Sequence, residues 1–170
     1  MTKRNVMISI LTSRIQIAES LFDENSEEVE QELPPEPADD EMPEPTELLL
    51  EGRLITGRDR VELVWDEGEL SGMEGSTAVV GFDRATPGLV SMMRSGTVST
   101  AMIFESGKRH MSVYDTPFSS FELCVHTLTV ENALLTEGYL VLEYLIEIHG
   151  AEAERCRMMI TVKDQEALFE

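Results

Sequence analysis

From residue 47 to residue 163 the chain repeats one pattern: a short run rich in apolar and β-branched residues, then a turn. The runs are ELLLEGRLIT (47–56), RVELVW (60–65), STAVVGF (76–82), LVSMMR (89–94), TVSTAMIF (97–104), RHMSVY (109–114), SFELCVHTLTV (120–130), YLVLEYLIEIH (139–149) and ERCRMMITVK (154–163). Between them stand TGRD, DEGELSGMEG, DRATPG, RSG, ESGK, DTP, TEG and HGAE, rich in the Gly, Pro, Asp and Ser that reverse a chain. Within the run at 139–149, Leu140, Leu142, Tyr144, Ile146 and Ile148 share one face of a strand. The other face carries Tyr139, Val141, Glu143, Leu145 and Glu147; it is not purely polar, so part of it is expected to be covered. No segment has the spacing of a three-turn helix. Connections mostly this short join antiparallel neighbours, because a parallel crossover takes a dozen residues or more.

A further run, VMISILTSRIQI (6–17), favours a strand through its β-branched content and partial alternation, with a short helix as the alternative because Ile, Leu and Met suit both; as a strand it brings the total to about ten. A meander of that length exposes two edges unless it closes, and closure removes both. The pattern therefore predicts an all-β fold, an antiparallel up-and-down β-barrel of about eight to ten strands. A two-sheet sandwich is the alternative, which the sequential hairpins disfavour.

Residues 1–170 fit one domain of ordinary size. The stretch 19–47 departs from the strand pattern: it holds 13 of the 33 acidic residues, none of the 13 basic ones, and five of the seven prolines. Carboxylate repulsion and the lack of apolar content predict a disordered insertion after the first strand. The net charge is −20, and about −7 without this stretch. Such a balance opposes binding to DNA, RNA or an anionic membrane, where Lys and Arg supply most of the affinity. The start has no secretory pattern, because Ser9, Thr12, Ser13, Arg14 and Gln16 interrupt its apolar run. Two cysteines, Cys124 and Cys156, give no disulfide framework. The expectation is a cytoplasmic protein in a reducing compartment.

Chemistry-bearing motifs are sparse. His110, His126 and His149 lack a metalloprotease spacing, and neither a metal nor another cofactor is expected. Cys124 and His126 point the same way on a strand but stand ~6.5 Å apart along it, a poor nucleophile and base. Asp66 and Glu67 follow Trp65 at a turn and are expected to face water. No serine lies in a G-x-S-x-G elbow, and the glycines form no phosphate loop, so no catalytic residue is assigned. At Met92-Met93-Arg94-Ser95-Gly96 the two methionines point to opposite faces, and Ser95-Gly96 has the character of a tight hairpin with Gly96 at positive φ.

The order Met93, Arg94, Ser95, Gly96, then Tyr114, Thr116, Pro117, Phe118, within strands of matching length, resembles the DUF1934 (YwiB-like) family of small bacterial proteins. The resemblance spans roughly residues 48–163, with 6–17 matching the first strand. It departs at Ser119, where the family commonly has glycine, and in the length of the acidic stretch. It implies a calycin-like, lipocalin-like barrel of uncharacterised function, and it carries over no catalytic residues.

Three functions compete. A barrel with methionines available to its interior suits a small apolar or amphipathic ligand, since thioethers adapt to varied partners; Arg94, His110, Tyr114 and Met93 are the candidate contacts. A structural or interaction protein, acting as a homodimer through Val141 and Leu145, is the second. An enzyme is the third: Arg94 would steer an anionic group, Tyr114 donate a hydrogen bond and His110 exchange a proton.

Overall fold

A computed structural model describes residues 1–16, 44–67, 75–148 and 153–165. Ten strands form one closed barrel: β1 (Thr2–Gln16), β2 (Thr46–Thr56), β3 (Arg60–Asp66), β4 (Ser76–Asp83), β5 (Leu89–Gly96), β6 (Ser99–Glu105), β7 (Arg109–Asp115), β8 (Ser120–Ala133), β9 (Tyr139–Ile148) and β10 (Glu154–Asp164). Each strand is antiparallel to the next in sequence, and β1 closes the ring against β10. The sandwich alternative is thereby excluded. Most of the acidic stretch 19–47 lies outside the described residues; its last two, Thr46 and Glu47, already pair with Thr12 and Leu11.

β1 starts four residues earlier than the apolar pattern indicates. Thr2, Lys3, Arg4 and Asn5 have no apolar face to show, but Thr56, Ile55, Leu54 and Arg53 stand opposite and supply ladder partners. That extension depends on tertiary contact, which local periodicity does not encode.

The even-numbered residues of β1, β2, β4, β5, β6, β7, β9 and β10 face inward, with the odd-numbered ones of β3 and the first half of β8. A bulge between Thr127 and Thr129 changes the phase of β8. Val6, Ile8, Leu54, Leu63, Leu140 and Ile160 belong to the apolar core, each at most 1% exposed. Every such side chain contributes about 1.5–3 kcal/mol on burial. Gly52 makes room for this packing: a Cβ there would meet Ile8 Cδ1 at 2.4 Å and the Val64 carbonyl at 2.6 Å.

The turns at 57–59, 84–88, 106–108 and 134–138 define one end of the barrel, here the lower. Leu134 packs against the core there, and Asn132 Nδ2 donates to the Pro87 carbonyl at 3.0 Å. The upper end carries the rims of β1–β2, β3–β4, β5–β6, β7–β8 and β9–β10. Gly96 closes the β5–β6 hairpin at φ +122°, the positive φ that the Ser95-Gly96 pair predicts.

One rung of the wall is thin. β6 and β7 share only the pairs Ser99–Asp115 and Thr100–Tyr114, whereas β5–β6 has six pairs and β7–β8 seven. Towards the lower end the β6–β7 turn leans on β8 instead. Gly107 N–H donates to the Thr127 carbonyl (2.9 Å), Thr127 N–H to the Lys108 carbonyl (3.0 Å) and Ser106 Oγ to the Leu128 carbonyl (2.9 Å).

Candidate functional site

Several inward polar side chains lie on the upper half of the wall. On β5 the inward phase of Val90 and Met92 continues to Arg94. On β3 the phase of Val61, Leu63 and Trp65 continues to Glu67, whose N–H still donates to the Ser76 carbonyl at 2.8 Å. Ala78, paired with both Trp65 and Arg94, lies between them and is too small to keep the two side chains apart. Arg94 Nε donates to Glu67 Oε1 at 3.0 Å, with side chains 13% and 2% exposed. Glu67 is therefore not in water, as its place beside a turn suggested. It is the buried counter-ion of Arg94, and Arg94 is an interior residue.

Tyr144 of β9 faces the same layer, 3% exposed, its ring 4.9 Å from that of Phe104 at a tilt of 58°. Burial, above all, holds its phenol above the usual range; the neighbouring Cys156 adds to this, while Arg14 and Arg94 oppose it. Cys156, the cross-strand partner of Tyr144, is pushed up to about 11, chiefly by burial. Both groups are thus neutral hydrogen-bonding partners at ordinary pH.

Among the described residues, five further inward polar atoms are buried without a hydrogen-bond partner: Trp65 Nε1, Thr100 Oγ1, His110 Nε2, Ser112 Oγ and Thr127 Oγ1. Thr100, His110, Ser112 and Thr127 belong to β6, β7 and β8, the strands beside the thin rung, whereas Trp65 belongs to β3, separated from β6 by β4 and β5. The inward residues of β7, His110, Ser112 and Tyr114, are half-buried rather than buried, as a strand with a poorly paired edge requires.

Of the residues singled out from sequence, Arg94, His110 and Tyr114 lie on the inner face. Thr100 links Arg94 and Tyr114 along one rung, while His110 sits four residues from Tyr114, ~13 Å along the strand. Met93 points outward and is 52% exposed; Met92 takes the interior position. Trp65, Glu67, Thr100, Ser112, Thr127 and Tyr144 are not among the sequence's candidate site residues, although each follows the inward phase of its own strand.

Cys124 and His126 share the outer face of β8. Burial first raises the Cys124 thiol, while burial and Arg109 lower the His126 imidazole. A thiolate–imidazolium nucleophile needs the opposite shifts. Val141 and Leu145 also face outward yet are 7% and 1% exposed, so the mixed face of β9 is covered within the chain. Among the exposed apolar side chains, Met93, Ile103, Met111 and Val113 share the outer wall of β5–β7. His149 lies outside the described residues. Among the described residues, no three His, Cys, Asp or Glu side chains are grouped to hold a metal, and no helix is long and apolar enough to cross a membrane. Thr116-Pro117-Phe118-Ser119 forms the β7–β8 turn, with Thr116 Oγ1 accepting from the Phe118 and Ser119 N–H groups at 3.3 and 3.1 Å.

Fold and site together define a ten-stranded closed antiparallel barrel with an apolar core and several buried inward polar groups, an Arg94–Glu67 pair among them. Residues 36–160 match the family described as "Domain of unknown function (DUF1934)", and the chain belongs to that family. Among solved structures it is similar to the ywiB protein from Bacillus subtilis, at 17% sequence identity and a TM-score of 0.69, over 95% of this chain and 92% of that one. At that identity the likeness speaks for the fold. No curated protein matches the chain.

Proposed function

We propose that the barrel binds a small amphipathic molecule in its interior, the polar end at the layer around Arg94 and the apolar part among Met92, Met102 and Phe104. Five buried polar atoms without a partner support this reading. Leaving one such group unsatisfied costs about 1–3 kcal/mol, so a ligand or bound water that completes them is favoured. Barrels of the calycin and lipocalin type use their interiors in this way, and we assign the same use here. Two free, buried thiols suit a reducing, cytoplasmic setting.

The test is a thermal-shift screen of amphipathic metabolites on the wild type and on Ser112→Phe, which places a ring in the interior. Compounds that raise the wild-type Tm and leave the variant unmoved support the reading. A high-resolution crystal structure in which protein groups alone satisfy all five atoms, with the interior packed at ordinary density, overturns it.

A second reading, a homodimer without an internal ligand, draws on the exposed strip of Met93, Ile103, Met111 and Val113. Light scattering decides it. A dimer that dissociates on Met111→Glu with Val113→Glu supports association through that face; a monomer at all concentrations ends it.

A further inference from the structure

We infer that the molecule this interior accepts is uncharged, with hydroxyl or carbonyl groups on its polar end, and that carboxylate- or phosphate-bearing amphiphiles are excluded. The inference rests on the interior-binding reading and specifies its ligand class.

The argument is a charge balance on the inner wall. Three arginines of the described strands have the inward phase: Arg4 and Arg14 on β1 and Arg94 on β5. Each stands beside an inward carboxylate. Arg4 Nη1 lies 3.3 Å from Asp164 at the lower rim, Arg14 Nη1 lies 3.9 Å from Glu154 at the upper rim, and Arg94 Nε lies 3.0 Å from Glu67 in the interior. The two rim pairs are water-exposed and contribute little; the interior pair decides the matter. Arg94 is the cation an anionic head group would seek, and Glu67 already neutralises it. A carboxylate placed there would be the second negative charge against one positive, away from water, and burial of an uncompensated charge is heavily penalised.

The atoms that do lack partners have a different chemistry. Trp65 Nε1 is a donor only; the hydroxyls of Thr100, Ser112 and Thr127 both donate and accept; His110 Nε2 does one or the other according to its tautomer. Such a set complements a polyol, whose hydroxyls donate and accept, or an ester or ketone, whose carbonyl oxygens accept. Tyr144 and Cys156 extend the layer with two more groups kept neutral by burial.

Two probes with the same tail separate the alternatives: 1-decanoylglycerol and sodium decanoate, titrated below their aggregation thresholds at pH 7.5. Trp65 is the single tryptophan of the chain and lies in the inner wall, so its emission reports binding. The full-length protein is expected to bind the glycerol ester at least tenfold tighter than decanoate, with the ester response abolished in Ser112→Phe. Glu67→Gln, which leaves Arg94 without its counter-ion, is expected to narrow or reverse that preference by strengthening decanoate. Wild-type protein that binds decanoate as tightly as the ester overturns the inference and leaves the interior-binding reading standing. Wild-type protein whose Trp65 emission responds to neither probe, and whose Tm no metabolite raises, removes both. The wild-type comparison alone is decisive if Glu67→Gln does not fold.

Discussion

Arg94→Met removes the cation of the interior pair while keeping most of the side-chain volume. In the native protein Arg94 and Glu67 are 13% and 2% exposed, so water does little to screen their interaction. The variant leaves the Glu67 carboxylate buried and deprived of its 3.0 Å donor. Breaking one side of a buried pair costs about 3–5 kcal/mol. The lower figure applies here, because Arg94 retains some contact with water. For a chain of this size about 3 kcal/mol lowers Tm by roughly 6–12 °C. Glu67→Leu should cost a similar amount, since it strands the guanidinium. The double variant Arg94→Met with Glu67→Leu should return to within about 1 kcal/mol of wild type, because a buried ion pair and an apolar pair of similar volume are close in stability. Urea unfolding followed by Trp65 emission measures all four proteins, and an unchanged m-value keeps the comparison two-state. The reasoning fails if Arg94→Met costs less than about 1 kcal/mol, or if the double variant loses the sum of the single losses. Either result would mean that the pair is solvated and that its two halves do not depend on each other.

Three more predictions address the frame that holds the site. Gly96→Ala places a Cβ 2.4 Å from the Gly75 carbonyl oxygen at φ +122°, so it should destabilise by about 2 kcal/mol or more; a Tm within a degree of wild type would show that the hairpin relaxes freely. Cys156 titrates near 9 in the unfolded chain and at about 11 in the fold, so the unfolded state loses its proton first as pH rises. Its contribution, about 3 kcal/mol, is fully present below pH 9 and is lost as pH climbs through 11; urea stability of Cys156→Ala should therefore fall less steeply over that window, and parallel curves would refute it. Amide hydrogens on the facing edges of Ala101–Glu105 and Arg109–Val113 have no ladder between them and should exchange well before those shared by β1 and β10, measured by mass spectrometry after brief labelling; equal protection would mean that the β6–β7 rung is complete in solution.

The strands were legible because alternation and turn chemistry agree along most of the chain. The run read at 139–149 is the strand Tyr139–Ile148, and the run at 109–114 is Arg109–Asp115. Closure was legible for the same reason, since short sequential hairpins leave few arrangements but a ring. What periodicity could not give was the pairing of groups two strands apart. Glu67 illustrates the division. Its position beside a glycine-rich turn suggested water, yet the phase of Val61, Leu63 and Trp65, carried two residues further, already puts it on the inner face. A carboxylate on that face needs a cation, and phase alone also places Arg94 inside with Val90 and Met92. Phase left Arg4 and Arg14 as equal claimants, because they too lie inward on β1. Only the registers of β3 on β4 and β4 on β5, with Ala78 small enough to be bridged, select Arg94 over the other two. The same registers make the interior electrically balanced, and that balance, rather than any single motif, is what distinguishes an uncharged ligand from an anionic one.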